Sequence, residues 1–155
     1  MFTEKVVVAY NDTDLSNDVL DYVHEILEMH AEIELDIVYA YEHPLENPSP
    51  FQRNYDDGAP EMLAYAEQII QKAKNRFVDL PNHVEGFVYD TGPAAAILSH
   101  AHDHHADLIV IGNRGTRGLR ELVSSVSRTI QTKSHIPVLT FPKFVQEEFE
   151  EEYHK

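Results

Sequence analysis

A glycine-containing, basic segment follows the most hydrophobic stretch of the chain, residues 106–111. Gly112 and Gly115 open this segment, and glycine lets a backbone approach a phosphate group closely. Between Gly112 and His135, five basic residues stand against one acidic residue, Glu121, although the whole chain has a formal charge of −15. The basic residues are Arg114, Arg117, Arg120, Arg128 and Lys133. Arginine side chains and the amides of a helix N-terminus bind phosphate oxygens, so the segment predicts an anion site.

A second polar segment, Asn11-Asp12-Thr13-Asp14, follows the apolar run 6–10 and has residues typical of a turn. Ser16 is suited to cap the helix that follows. If both apolar runs are parallel strands, this turn and Gly112 lie at the same edge of a sheet, where such sheets bind ligands. The two segments together predict one ligand-binding cleft. The alternative for the arginines is a solvated helix face that pairs with acidic residues elsewhere.

Four histidines stand close together at positions 100, 102, 104 and 105, around Asp103. His100 and His104 are spaced i, i+4 on a helix, a spacing that can ligate zinc. The sequence places no third ligand beside them. We therefore interpret the group as the polar outer face of a helix, and expect no metal there.

Five apolar runs alternate with amphipathic segments along the chain. This order predicts a single α/β domain in which a doubly wound, parallel five-stranded sheet carries helices on both faces. The predicted strands cover residues 6–10, 35–41, 84–89, 106–111 and 136–141, and the predicted helices begin near residues 16, 60, 94 and 119.

Composition narrows the function classes. The chain has 155 residues and no cysteine, which excludes disulfide frameworks and thiol catalysis. Its acidity disfavours general binding to nucleic acid or to anionic membranes, and no apolar run is long enough to span a bilayer. We find no secretory signal and expect a cytoplasmic protein, with one domain over residues 1–143, a proline-rich loop at 43–60 and an acidic tail at 144–155.

Three blocks of the sequence resemble the universal stress protein family. Residues 92–98 (GPAAAIL) and 106–112 (ADLIVIG) resemble the central block of that family, and residues 135–139 (HIPVL) resemble its closing strand. The resemblance spans residues 5–142. It implies a sheet of strand order 3-2-1-4-5, a Rossmann-like fold of the adenine nucleotide alpha hydrolase type, a homodimer and a role in the stress response.

Many members of that family bind ATP through a Gly-x2-Gly-x9-Gly-Ser/Thr loop after strand four, and the resemblance implies ATP here, with magnesium as a further candidate. Gly112 and Gly115 match this loop, whereas Ser125 stands where the third glycine is expected. Aligning Ser124 with that glycine instead shortens the loop by one residue. Asn11 stands where the family has an aspartate after strand one. The implied site residues are Asn11, Asp12, Thr13, Ala40, Ile111, Gly112, Arg114, Gly115, Ser124, Ser125, Val126 and Ser127.

The last strand predicts the dimer contact. Val138, Leu139 and Thr140 would form an exposed apolar edge, and pairing with a second copy would cover it. No motif of a hydrolase or of a Walker nucleotide site occurs, so at most slow ATP hydrolysis is expected.

Two alternatives are open. In the first, the chain is a member of the same family that binds no nucleotide and acts as a dimeric protein-interaction module. A phosphoacceptor receiver domain is less favoured, although Asp12, Asp14, Asp90 and Lys143 imitate its acids and its lysine. A receiver domain needs adjacent acidic residues after strand one and a Ser or Thr after strand four, and the chain has neither.

Overall fold

A computed structural model describes residues 3–41, 59–113, 121–143 and 153. It contains five strands: β1 (Lys5–Ala9), β2 (Glu34–Ala40), β3 (Val84–Tyr89), β4 (Leu108–Asn113) and β5 (Val138–Pro142). All pairings are parallel, and the order is β3-β2-β1-β4-β5. This confirms the predicted fold and strand order. Receiver domains of the CheY type have the order 2-1-3-4-5, so the receiver alternative does not fit.

Four helices connect the strands: α1 (Asp14–Met29), α2 (Ala59–Asn75), α3 (Pro93–Asp103) and α4 (Glu121–Lys133). The buried side chains form two clusters. One contains Val6, Val8 and residues of α1 and α2, and the other contains Val7, Ile97 and Ile130. Because neighbouring residues of β1 belong to different clusters, this strand is covered on both faces, as its continuous valine run predicts. Within the described residues, no helix is long and apolar enough to cross a membrane.

The start of α1 differs from the sequence-based expectation. Thr13, not Ser16, is the N-cap residue, and its Oγ1 accepts a hydrogen bond from the Ser16 backbone N–H at 3.2 Å. The Ser16 hydroxyl accepts in return from the Thr13 backbone N–H at 3.0 Å. The two residues form a capping box, so the helix begins two residues earlier than Ser16 and the preceding turn is correspondingly tight.

Candidate functional site

The loops after β1 and β4 enclose a cleft at the carboxyl ends of the central strands. Its cavity measures about 110 Å³. The walls contain polar side chains from the start of α1 and apolar side chains from β2, α3 and β4. The lining residues are Ala9, Tyr10, Asn11, Thr13, Leu15, Ser16, Val38, Ala40, Pro93, Ile97, Ile111, Gly112, Val126 and Ser127.

The β1 loop supplies the polar wall. The Thr13 hydroxyl donates to Asn11 Oδ1 at 2.6 Å, which fixes the exposed Asn11 side chain at the mouth of the cleft. Asp12 has a φ of 57°, a left-handed conformation that aspartate tolerates better than most residues. Asp12 does not line the cleft, although the resemblance included it in the site.

Tyr10 links the β1 loop to α1. Its buried hydroxyl donates to Asn17 Oδ1 on α1 at 2.7 Å, and Asp12 Oδ1 lies 3.2 Å away. Burial and, next, the Asp12 carboxylate raise the pKa of Tyr10 to about 12. The phenol therefore stays protonated well into the alkaline range, where an ordinary tyrosine ionises, and keeps the loop attached to α1.

Gly112 lines the cleft, but its lack of a side chain is explained by the packing of α1 against β4. A Cβ on Gly112 would lie 2.9 Å from Leu15 Cγ and 3.5 Å from Val19 Cγ2. Both neighbours belong to α1, so a glycine is needed here because α1 packs tightly against β4. The close approach of a phosphate is not required to explain this residue.

Helix α4 supplies the remaining wall. Ser127 is buried, and its hydroxyl accepts a hydrogen bond from Gln131 Nε2 at 3.1 Å. Gln131 also donates to Thr140 Oγ1 at 2.8 Å, which ties α4 to β5. Arg114 and Gly115 lie outside the described residues, as do the side chains of Ser124 and Ser125.

The structure thus brings most of the expected residues to one place. Asn11, Thr13, Ala40, Ile111, Gly112, Val126 and Ser127 share the cleft. Sequence reasoning missed Val38, Ile97 and Pro93, which form its apolar floor. Val38 lies two residues before Ala40 on the same strand face, so the period of two was the signal that could have found it.

A second group of polar side chains lies on the same face of the sheet, at the other end of α3. His100 is buried, contrary to its assignment to an outer helix face. Its Nε2–H donates to Asp36 Oδ2 at 2.8 Å, and in the neutral imidazole its Nδ1 accepts from the Tyr89 hydroxyl at 2.5 Å. We call Asp36, His100, His104, Tyr89 and Lys5 the Asp36 cluster. The exposed His102 agrees with the expected outer face, and His105, which is also exposed, lies beyond the end of α3.

Asp36 is the buried anion of this cluster. Burial alone opposes its ionisation, but the hydrogen bond from His100 and the nearby charge of Lys5 outweigh burial and hold the pKa of Asp36 below its ordinary value. Lys5 Nζ lies 3.5 Å from Asp36 Oδ2 and 3.8 Å from Glu34 Oε2. A carboxylate inside a mostly apolar strand was the sequence signal that could have revealed this cluster.

Comparisons with known proteins agree with this fold. A model of the universal stress protein family matches residues 3–142. Universal stress protein YxiE of Bacillus subtilis (strain 168) is 30% identical over 152 residues, which cover 87% of this chain and 96% of YxiE.

Among solved structures, hypothetical protein MJ0577 gives a TM-score of 0.77 at 19% identity, over 93% of this chain and 99% of its own. A universal stress protein in complex with cAMP has a TM-score of 0.69 at 23% identity, and the match covers 92% of this chain and 98% of that protein. The universal stress protein from Archaeoglobus fulgidus in complex with dAMP gives 0.64 at 19% identity, over 90% and 98%. Together, the family match, the relative of similar length and the shared fold show that this chain belongs to the universal stress protein family.

Proposed function

We propose that this chain binds an adenine nucleotide, with ATP as the first candidate, in the cleft between the β1 and β4 loops, and that it serves a stress response in this way. One observation carries the proposal: an apolar slot and a polar wall meet at the point where the strand order reverses. The slot is lined by Val38, Ala40 and Ile97, and the wall by Asn11 and Thr13. Apolar pockets with a few convergent polar groups at this point of an α/β sheet are typical nucleotide sites.

In this proposal, each wall of the cleft contacts a different part of the nucleotide: the flat adenine ring packs against Ala40 and Val38, and the Asn11 amide hydrogen-bonds a ribose hydroxyl. The phosphates then extend toward the basic segment after Gly112, with magnesium as a candidate counterion. Relatives of the same fold were solved with cAMP and with dAMP, which supports an adenine-containing ligand.

Titration calorimetry with ATP, with and without magnesium, tests the proposal. Ala40→Leu fills the slot and should abolish the binding heat, because the adenine ring then has no space. Ala64→Leu makes the same change on the exposed side of α2 and is the matched control. Absence of heat with the unmodified protein, or equal heat with both variants, would contradict the proposed site.

Gly115→Val tests the phosphate end separately. Glycine there would permit close approach of a phosphate, so valine should remove the rise in melting temperature on adding ATP. If Gly115 serves only the local turn, the variant loses stability and neither protein responds to ATP. A variant that keeps the full ATP response would show that the phosphates bind elsewhere.

The second candidate is a member that binds no nucleotide and meets protein partners as a dimer. Within the part of the chain that the structure describes, β5 pairs only with β4, and its sequence VLTFP carries no charge. The opposite edge strand, β3, carries Glu85, a charge typical of edges protected from pairing. We therefore propose that two copies meet through Val138, Leu139 and Thr140. A monomeric mass in light scattering at micromolar concentration would refute this dimer.

A further inference from the structure

The Asp36 cluster contains three metal-ligating side chains from two elements. Asp36 comes from β2, His100 comes from the last turn of α3, and His104 is the residue that caps the C-terminus of this helix. One potential ligand atom from each lies within 4.8 Å of the other two. The structure thus supplies the third donor that the histidine spacing alone did not.

From this arrangement, we infer that Asp36, His100 and His104 form a binding site for one divalent transition-metal ion, zinc being the first candidate. Two imidazoles and one carboxylate are the donors of many open zinc sites, in which water takes the fourth position. Calcium and magnesium prefer oxygen donors and are disfavoured here. The inference is independent of nucleotide binding at the cleft.

The geometry requires two adjustments. His100 Nε2 and Asp36 Oδ2, now 2.8 Å apart, must separate by about 0.5 Å to hold an ion at ordinary zinc–ligand distances, and the His104 ring must rotate. The rings of His100 and His104 are stacked, with centroids 3.9 Å apart and planes at 17°, so no ion can lie in both ring planes at once. His104 has a side chain that is 36% exposed, and its Nδ1 lies 4.0 Å from Asp36 Oδ2. Rotation of this ring turns its nitrogen toward the ion and leaves the solvent side open for entry and for a water ligand.

The partner of His100 is compatible with metal binding. When Nε2 of His100 ligates the ion, its proton moves to Nδ1, which then donates to the Tyr89 oxygen. A hydroxyl both donates and accepts, so Tyr89 holds the ring in either tautomer. A hydrogen bond to the second ring nitrogen is the usual support of a metal-bound histidine.

Charge favours a cation here, with Lys5 as its competitor. With neutral histidines, Asp36 and Glu34 outweigh Lys5 by one negative charge. An arriving ion displaces the Lys5 ammonium from Asp36, and Lys5 keeps Glu34 as its partner. Lys5→Gln should therefore strengthen metal binding, an effect opposite to that of removing a ligand.

The test is a zinc titration against a coloured chelator, with cobalt(II) absorption as a measure of coordination. The unmodified protein should bind one zinc ion per chain and give the intense visible bands of four-coordinate cobalt. His104→Gln should weaken binding by at least about tenfold, because loss of a group that only hydrogen-bonds a ligand already costs that much. His102→Gln, on the exposed side of the same helix, is the matched control and should bind normally.

A second three-donor group, His24, Glu28 and Asp79, lies on the surface and must be separated from this site. His24→Gln should leave zinc binding unchanged. Loss of binding in His24→Gln, equal binding by His104→Gln and the unmodified protein, or absence of saturable binding would each overturn the inference. Circular dichroism and melting temperature verify that every variant is folded.

Discussion

Helix α3 joins two sites that differ in how they hold their polar groups. Its N-terminal Pro93 and Ile97 line the cleft, whereas His100 and His104 belong to the Asp36 cluster. In the cleft, Ser16 and Ser127 are buried, but Asn11 lies at the mouth and stays in contact with water. In the cluster, the Asp36 and His100 side chains are 1% and 0% exposed and depend on each other. The exposed Asn11 can therefore be replaced with little loss of stability, whereas Asp36 and His100 cannot.

The largest effect is expected from Asp36→Ala. It leaves the buried Nε2–H of His100 without its charged acceptor and should lower the free energy of unfolding by about 3 kcal/mol, the upper end for a buried donor that loses its partner. Asn11→Ala at the cleft should change it by about 0.5 kcal/mol or less. Urea unfolding measures both, and similar losses in the two variants would remove the contrast between the sites.

The next effect concerns alkaline pH and Tyr10 beneath the cleft. Its folded-state pKa of about 12 exceeds the ordinary value of about 10, so its contribution is complete below pH 10 and is lost as pH rises toward 12. A shift of this size corresponds to about 2–3 kcal/mol. Between these pH values, the free energy of unfolding should fall more steeply with rising pH for the unmodified protein than for Tyr10→Phe. Parallel curves would mean that Tyr10 ionises normally in the folded protein.

Gly112→Ala separates packing from ligand binding within the cleft. The new Cβ collides with Leu15, so the free energy of unfolding should fall by about 1–3 kcal/mol, the usual cost of overpacking. The shift in melting temperature on adding ATP should persist, because the added methyl group faces α1. Loss of the ATP response with unchanged stability would show that Gly112 is needed by the phosphates instead.

The smallest effects come from two residues with positive φ, one near each site. His105, at 54°, follows α3 in a motif closed by hydrogen bonds from Ala106 to Ala101 and from His105 to His102. Glycine is preferred at this position, so His105→Gly should stabilise the protein by about 0.5–1 kcal/mol. Asp12→Gly should gain less, since the aspartate tolerates this conformation and contacts Tyr10. Thermal unfolding ranks the two variants, and a larger gain at Asp12 would reverse the expected order.

The α/β class could be predicted from local patterns because each strand is a short apolar run and each helix a periodic one, whereas the strand order came from the resemblance to the family. The cleft followed in outline, since parallel topology determines which loops meet. The apolar floor of the cleft could not be predicted, because the inward direction of Val38 and Ile97 depends on how α3 packs on the sheet. The Asp36–His100 pair was beyond local patterns, since 64 residues separate the partners. The helix phase nevertheless places His100 beside the buried Ile97 and Ala101, a signal that the polar character of histidine obscured.

The position of β1 in the sheet has a consequence for how the chain acquires its structure during synthesis. β1 lies between β2 and β4, and Val6 pairs with Leu108. The Asp107 carboxylate also accepts hydrogen bonds from the backbone N–H groups of Glu4 and Lys5, both at 2.9 Å. One edge of β1, with its valine run, therefore stays unpaired until the chain through β4 has left the ribosome. Such late, non-local pairing is of the kind that slows folding, and a nascent chain that ends before β4 exposes an unpaired apolar strand edge, a surface that favours aggregation.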